Sequence, residues 1–325
     1  MSQELDLMRR CRGMQAAPIP YYIDSGSVRL FADSLMDPDP ALRVDPSQDP
    51  SGGGRVIAPP TFFGGATGLS TIRAGDPKGM FSLPLPVPEG WLAIATGDDF
   101  EFFHPVRTGM TLVSHERFED AREKQGRTGR LIFFEVSKEF RTIDGTLVLR
   151  RTLHCVTRPL GSGATPASAG AEGMEFPSGL PPVTVGPVTI RYLSMFAVAT
   201  AEPVDIHYDA DYARSTGLPG VIIQGLYKTA LIGRMLKDWL GDPRAVRRLT
   251  VQHRRMDLAG ATLTAGGAIM SPFPVSLPAP VTCRVQVSNE RAVVTTMGTA
   301  EVLVPESPRC REWLRQELTK ERTAQ

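Results

Sequence analysis

The sequence has almost no net charge, no long apolar run and few cysteines. Its 36 lysines and arginines are balanced by 35 aspartates and glutamates, which leaves a formal charge of +1 at pH 7. Proteins that bind nucleic acid or an anionic membrane electrostatically need a basic surface, so we expect neither partner. No apolar run reaches the roughly 18 residues of a transmembrane helix. The charged residues after Met1 are not followed by the apolar core of a secretory signal.

Cysteine and histidine are too scattered to form a ligand cluster. The cysteines are Cys11, Cys155, Cys283 and Cys310. Because no Cys-x-x-Cys pair is present, we expect free thiols in a protein of the reducing cytoplasm. The histidines are His104, His115, His154, His207 and His253. Their wide separation favours no metal site.

The chain contains enough apolar sequence for a sizeable core. Of its 325 residues, 42% are hydrophobic and 22% are charged, which is typical of one large or two ordinary globular domains. Residues 161–170 consist only of glycine, serine, alanine, threonine and proline, and a proline-rich segment continues to about Pro187. This composition buries little apolar surface and predicts a flexible linker at a domain boundary.

The two halves on either side of this linker repeat one another faintly. Subtraction of residue numbers gives an offset of 165 for the first two echoes and of 151 for the third. The aligned pairs are Phe31 with Phe196, Asp37-Pro38 with Glu202-Pro203, Leu42 with His207, residues 56–60 with 221–225, and residues 109–112 with 260–263. The difference of 14 residues between the two offsets fits a loop at the proline-rich segment 82–88. We infer two copies of one fold, of which the first lacks the histidine.

Strand patterns follow in each copy. The predicted strands are residues 111–118, 131–136 and 146–150 in the first copy and 264–270, 281–287 and 292–304 in the second. The charged run 119–124 is expected to end the first of these strands, and Asp144-Gly145 predicts a hairpin turn. A helix followed by such a meander suits an antiparallel sheet that wraps round the helix.

The most informative stretch runs from Met195 to Leu240. After Gly225, apolar residues recur at helical spacing, which predicts a helix buried along one wide face. Gly241 and Pro243 mark the end of that helix.

Upstream of this helix, Glu202 lies five residues before His207. Pro203 disfavours a continuous helix through Glu202, so we expect an irregular turn. An imidazole beside a carboxylate can act as an acid and base pair at neutral pH. The alternative is structural, with Glu202 as a helix cap and His207 as a hydrogen-bonded core residue.

The run FAVATAEPVDIHYDADYA at 196–213, followed by GLPGVIIQG at 217–225, resembles the signature of MaoC-like hot-dog proteins. These are the (R)-specific enoyl-CoA hydratases and 3-hydroxyacyl-thioester dehydratases. The family pattern is Asp-x-Asn-Pro-x-His, then an alanine, and later Gly-x-x-x-x-Ile-x-His-Gly. The matching positions are His207, Ala213, Gly217, Ile222 and Gly225. The departures are Glu202 for the aspartate, Val204-Asp205 for Asn-Pro, and Gln224 for the second histidine.

The resemblance implies an α+β, double hot-dog fold with two antiparallel sheets, each wrapped round a central helix. The implied parts are an N-terminal hot-dog domain at 1–158 that accommodates substrate, a flexible linker at 159–187, a catalytic MaoC-like domain at 188–305, and a tail at 306–325. Within the tail, residues 310–319 are expected to be helical. The run Ala-Pro-Pro-Thr-Phe at 58–62 is similar to a segment of the non-catalytic half of double hot-dog dehydratases.

The resemblance also implies a hydro-lyase that reversibly hydrates trans-2-enoyl thioesters or dehydrates 3-hydroxyacyl thioesters. A carboxylate, Glu202 with Asp205 as a second candidate, would orient or deprotonate the water, and His207 would move a proton. The amide of Gly225, at a helix N-terminus, would stabilise the thioester oxygen. The partner would be a small acyl thioester of CoA or a carrier protein, and no cofactor is required.

Other residues receive supporting roles. Asp209 and Gln224 are candidate helpers of the reaction. Arg254 and Arg255 are candidates for binding the phosphates of the substrate, and the alternative is a solvated strand edge on which charges discourage aggregation. His253 is expected to be structural.

Two other function classes stay open. The substitutions at Glu202 and Gln224 also fit a non-catalytic subunit that binds acyl thioesters, and a hot-dog thioesterase would use a carboxylate and water on the same scaffold. Catalysis predicts that Glu202 and His207 face a common cavity. Whether two chains pair as a homodimer is also left open.

Overall fold

A computed structural model describes residues 2–43, 56–64, 81–126, 129–160, 179–270, 274 and 276–324. The helices are α1 (Gln3–Arg10), α2 (Ser25–Ser34), α3 (Ile190–Thr200), α4 (Ala210–Ser215), α5 (Gly225–Leu240) and α6 (Pro308–Ala324). The strands of the first copy are β1 (Ile19–Tyr22), β2 (Trp91–Phe102), β3 (Thr111–Gly126), β4 (Gly129–Thr142) and β5 (Leu147–Pro159). Those of the second are β6 (Val183–Val185), β7 (Val246–His253), β8 (Leu263–Ile269), β9 (Ala279–Asn289) and β10 (Val294–Val304).

The ten strands form one antiparallel sheet in the order β1-β3-β4-β5-β2-β7-β10-β9-β8-β6. The expectation of two separate sheets is therefore not confirmed. The two copies join where residues 97–101 of β2 pair with residues 248–252 of β7. At this seam a side chain on Gly97 would lie 2.5 Å from the carbonyl oxygen of Val251, so only glycine fits without a shift of the backbone.

Helix α5 is the central helix of the second copy, as predicted, and ends at Gly241, whose φ of 69° is left-handed. It differs from the prediction in being buried on nearly every side rather than along one wide face. The reason is that the sheet covers one side while segments of both copies cover the other, including Pro60 against Gly233. Its cations Lys228 and Lys237 are tolerated inside because each meets a carboxylate. At the offset of 165 the corresponding segment of the first copy is 60–75, of which residues 65–75 lie outside the described residues.

The predicted internal repeat is present in the backbone. Helices α2 and α3 are equivalent and pack together, with ring centroids of Phe31 and Phe196 5.4 Å apart. Each helix is followed by a left-handed residue that is not glycine, Met36 and Ala201, both with a φ of 55°. The next residue then donates its amide to the same carbonyl of the helix, from Asp37 to Ala32 (2.9 Å) and from Glu202 to Ala197 (3.0 Å).

The later echoes are equivalent as well. The amide of Ala58 donates to the carbonyl of Val106 (2.9 Å), and that of Ile223 donates to the carbonyl of Asp257 (2.8 Å). The two donors are 165 residues apart and the two acceptors are 151 residues apart, which are the offsets of the sequence echoes. The loop 82–88 supplies Leu83 and Leu85 to a second apolar cluster under α1.

Several boundaries differ from the sequence prediction. The charged run 119–124 continues β3 instead of ending it, because Ala121 points inward while Glu123 and Lys124 are exposed. Of the predicted linker, 161–178 lies outside the described residues, but Val183–Val185 forms an edge strand on β8. The predicted tail forms α6, in which Trp313 packs against Trp239 at 5.0 Å between ring centroids. No helix in the described part of the chain is long and apolar enough to cross a membrane.

Candidate active site

His207 lies at the end of a 3-10 turn, Asp205–His207, which follows the irregular turn at Pro203. Its ring is buried, and Nδ1 lies 2.8 Å from the carbonyl oxygen of Ile222. Burial lowers the pKa of His207 to about 4, against which the bond to Ile222 acts only weakly. The imidazole is therefore neutral at pH 7, with its proton on Nδ1, because a carbonyl only accepts. Nε2 is left as an unprotonated base.

His207 lines a cavity of about 50 Å³. The lining residues are Ile94, Ala95, Ile206, His207, Ile222, Ile223, Gly225, Lys228, His253, Arg255 and Met256. Ile94 and Ala95 belong to β2 of the first copy, so the cavity is built from both copies. Its volume suits one or two water molecules, each of which occupies about 30 Å³ in the liquid.

The N-terminus of α5 opens on this cavity. The first-turn amides of a helix, here beginning at Gly225, have no acceptor inside the helix and carry the positive end of its dipole. A side chain at Gly225 would lie 2.6 Å from Nε2 of His253, so the imidazole of His253 packs directly on the glycine. The cavity thus combines a neutral base with backbone donors.

Glu202 is placed differently from the sequence expectation. Its side chain is 16% exposed, and Oε1 pairs with Nη1 of Arg151, a residue of β5 in the first copy. Among the described residues that line the His207 cavity, Glu202 is not found. The carboxylate is therefore held by the other copy.

Arg151 belongs to a buried charged network. Its Nε donates to Oδ1 of Asp98 (2.7 Å), and Oδ2 of Asp98 accepts from Oγ1 of Thr229 (3.1 Å). Burial by itself raises the pKa of Asp98, but Arg151 and His253 outweigh it and hold that pKa well below its usual range. Since ionised Asp98 only accepts, the 3.3 Å contact to Nε2 of His253 assigns the proton to Nε2. Nδ1 of His253 then accepts from Oγ1 of Thr296 at 3.2 Å.

The other carboxylate candidates have structural contacts. Oδ1 of Asp205 accepts from the hydroxyl of Tyr208, and burial followed by this bond raises the pKa of Tyr208. Asp209 is the N-cap of α4, where its Oδ1 accepts from the amides of Asp211 and Tyr212, each at 2.9 Å. These hydrogen bonds of Asp205 and Asp209 stabilise the turns on either side of His207.

Gln224 is the residue immediately before α5. Its Nε2 donates to the carbonyl of Leu193 (3.0 Å), which ties α5 to α3. Its Oε1 is buried and has no hydrogen-bond partner in the described part of the chain. One polar atom beside the helix start is thus left for a water or a ligand.

The two arginine candidates lie in different places. Arg255 lines the His207 cavity, and its carbonyl accepts from Nζ of Lys228 (2.8 Å). Arg254 lines a separate open groove of about 630 Å³ together with His154, Asp99 and other residues. The strand that precedes them, β7, is not an edge strand, because it pairs with both β2 and β10, although Arg254 itself is exposed to solvent.

Three residues of this region were not singled out as site residues by the sequence: His253, Asp98 and Arg151. His253 was assigned a structural role, yet it lines the cavity. Arg151 did leave a signal, because it alternates with Leu149 and Leu153 along β5 and therefore points inward. A charge at an inward position requires a buried partner.

Two family models match the chain in succession. The FAS1-like dehydratase domain region matches residues 10–151, and the MaoC like domain matches residues 179–269. No curated protein matches. Among the described residues, no group of three His, Cys, Asp or Glu side chains is arranged to hold a metal ion.

Solved structures share the fold at low sequence identity. A MaoC-like dehydratase has a TM-score of 0.69 and 20% identity, covering 90% of this chain and 98% of its own. A MaoC-like dehydratase from Phytophthora capsici has a TM-score of 0.64 and 14% identity, covering 93% and 98%. A conserved hypothetical protein from Mycobacterium tuberculosis with a double hotdog fold has a TM-score of 0.57 and 14% identity, covering 89% and 96%.

Proposed function

We propose that the chain, which matches family models of a FAS1-like dehydratase domain region and a MaoC like domain, reversibly hydrates trans-2-enoyl thioesters. The second copy, 188–305, is the catalytic domain, and the first, 1–158, accommodates the acyl group. The substrate is a thioester of CoA or a carrier protein. The observation that carries the proposal is the neutral, buried His207, which keeps one unprotonated nitrogen and lines a cavity large enough for one or two water molecules.

His207 is the proton carrier of this reaction. In hydration, a water oxygen attacks the β-carbon of the enoyl group while Nε2 of His207 accepts a proton from the water. The α-carbon then gains a proton, which the imidazolium returns. Glu202 is the carboxylate that orients the reacting groups, with Asp205 as the less favoured alternative because the Tyr208 hydroxyl already occupies its Oδ1.

The start of α5 stabilises the negative charge that forms on the thioester oxygen. The amide of Gly225 and the positive end of the helix dipole are fixed before the substrate arrives. Loss of one such donor in other enzymes lowers kcat by roughly a hundredfold to a thousandfold. Arg255, at the cavity, is the better candidate of the two arginines for contact with the substrate.

The test is the loss of enoyl-thioester absorbance with a panel of trans-2-enoyl-CoAs of increasing chain length. His207→Ala is expected to lower kcat by roughly 10²–10⁴-fold, the usual contribution of an acid–base group. Glu202→Gln should also lower kcat strongly while leaving a measurable rate, whereas Asp205→Asn should spare turnover. The reverse result for the two carboxylates would transfer the role to Asp205.

A second candidate is a non-catalytic subunit that binds acyl thioesters. The pairing of Glu202 with Arg151 favours it, because a carboxylate engaged in an ion pair is not free to hold water with both oxygens. Measurable thioester binding by the wild type without turnover on any chain length would establish this function and exclude the hydratase.

A further inference from the structure

A buried chain of four ionisable side chains links the two copies at the candidate site. It consists of Glu202, Arg151, Asp98 and His253, joined through Nη1 and Nε of Arg151 and Oδ2 of Asp98. The side chains of Arg151 and Asp98 are 4% and 0% exposed. Arg151 and Asp98 come from the first copy, and Glu202 and His253 come from the second.

Fold stability alone does not account for such an arrangement. The desolvation of a buried ion pair offsets most of its Coulomb attraction, and apolar residues of similar volume often give equal or greater stability. The guanidinium is nevertheless held in one orientation, since it lies over the rings of Phe63 (5.3 Å) and Phe100 (5.6 Å) as well as between two carboxylates. A rigid, charged, buried group is what a preorganised site requires.

Each end of this series of four side chains contacts a part of the candidate site. At one end, Arg151 meets Glu202 directly after the left-handed turn at Ala201. The first copy also touches this turn, because a side chain on Gly64 would lie 2.8 Å from the carbonyl oxygen of Thr200. At the other end, Asp98 binds Thr229 of α5 and the His253 ring that packs on Gly225.

We propose that Arg151 and Asp98 are positioning residues of the second copy's site. Arg151 fixes the carboxylate of Glu202, and Asp98 fixes both Arg151 and the imidazole that lies against Gly225. The first copy therefore takes part in the reaction beyond making room for the acyl group. This inference rests on the proposed hydration of enoyl thioesters.

The decisive experiment is a double-mutant cycle of Arg151→Gln and Glu202→Gln, with kcat and KM measured on the best trans-2-enoyl-CoA. A carboxylate displaced by about 1 Å loses on the order of a hundredfold in rate. Arg151→Gln is therefore expected to lower kcat about tenfold to a hundredfold while KM changes less than about threefold. The double variant should be about as slow as Glu202→Gln alone, because Arg151 acts through Glu202.

Lys237→Gln is the matched control. Lys237 is the cation that the second copy supplies to Asp37, the residue equivalent to Glu202. Its loss should destabilise the fold as Arg151→Gln does, yet leave kcat unchanged. If Arg151→Gln does not fold, Arg151→Lys keeps the charge but not the planar fork that joins both carboxylates, and its kcat should still fall. Asp98→Asn should lower kcat in the same way.

The outcomes separate the inference from the function on which it rests. An active wild type whose Arg151 and Glu202 variants multiply their losses, or whose Arg151 variants keep full kcat, overturns the positioning role alone. A wild type inactive on every thioester overturns the proposed function as well. A double variant about as slow as Glu202→Gln alone, together with an unchanged kcat in Lys237→Gln, supports both the positioning role and the proposed function.

Discussion

The two copies share one backbone arrangement but carry different residues at the positions of the candidate site. Each has a helix, a left-handed turn and a carboxylate, Asp37 in the first and Glu202 in the second. Leu42 stands where the second copy has His207. Pro60, which has no amide proton, stands where the second copy has the helix-starting Gly225. The first copy thus keeps the fold but lacks, at these two positions, the histidine and the amide that we propose as proton carrier and oxyanion donor.

The cavities of the two copies are equivalent as well. Each has a volume of about 50 Å³, and that of the first copy is lined by Ile57, Ala58 and Pro60, the counterparts of Ile222, Ile223 and Gly225. Phe102 lies where the second copy has His253. The lining of the first copy's pocket also includes His104, Arg244 and Arg247, so this pocket is polar in part, but Leu42 replaces the histidine of the second copy. Both copies thus form a hollow at the same place in the fold, and the side chains at the positions of His207 and His253 differ between them.

Each copy also supplies the buried cation that the other one needs. Nζ of Lys237 in the second copy lies 2.8 Å from Oδ2 of Asp37, just as Arg151 of the first copy pairs with Glu202. Removing one partner of a buried pair leaves an uncompensated charge, which typically costs 3–5 kcal/mol. We expect Lys237→Met and Arg151→Met each to lower the free energy of unfolding by about that amount in urea titrations.

A surface pair gives the control for these two variants. Arg10 and Asp6 form an ion pair whose side chains are 72% and 40% exposed. Arg10→Met should therefore change stability by less than about 1 kcal/mol. Equal losses of unfolding free energy in Lys237→Met and Arg10→Met would contradict the conclusion that each copy supplies a buried cation to the other.

The equivalent pair Leu42 and His207 predicts a contribution to the pH dependence of stability that only the residue of the second copy makes. An unfolded histidine titrates near 6.5, and folded His207 titrates at about 4. Between these values the unfolded state binds the extra proton, so stability falls as the pH drops from about 6.5 to about 4. The loss is on the order of 3 kcal/mol, and it is absent above pH 6.5.

This dependence is measured by urea unfolding at pH 7.0, 5.5 and 4.5. His207→Leu, which installs the residue of the first copy, should flatten the profile, although the buried His253, whose pKa burial also lowers, retains part of it. An unchanged profile in His207→Leu would show that His207 is not desolvated.

The smallest difference between the copies concerns the start of α2 and α3. Asp24 caps α2 by accepting from the amide of Ser27 (2.7 Å), whereas the equivalent Thr189 makes no side-chain cap bond to α3. Asp24→Ala should cost about 1 kcal/mol of unfolding free energy, and Thr189→Ala only a few tenths. Thermal unfolding of both variants checks this, and equal losses would mean that the cap bond contributes nothing.

Local patterns in the sequence predicted much of the fold. The spacing of apolar residues after Gly225 and the pair Gly241 and Pro243 predicted α5 and its end at Gly241, because helical period and caps are local properties. The internal echoes predicted the equivalence of Phe31 and Phe196, which pack together. The continuation of β3 through 119–124 was missed because a charged run ends a strand only when both faces meet water, and Ala121 does not.

Long-range contacts explain what the sequence did not predict. The sequence of the second copy does not predict the pairing of Glu202 with Arg151. The two residues come into contact only because β2 pairs with β7 and the two copies pack together. The complete burial of α5 was missed for the same reason. A period of apolar residues predicts the face that meets the sheet but not the elements that cover the other side.

Because β2 and β7 belong to one polypeptide, the assembly of the candidate site does not depend on protein concentration. If the copies were separate polypeptides, this seam would be a subunit interface, and the fraction of assembled sites would fall with protein concentration. On one chain, Arg151 and Glu202 find each other within the same molecule at any concentration. Joining the copies also lets each diverge alone, since a change at Asp37 is not imposed on Glu202 as it would be in a pair of identical subunits.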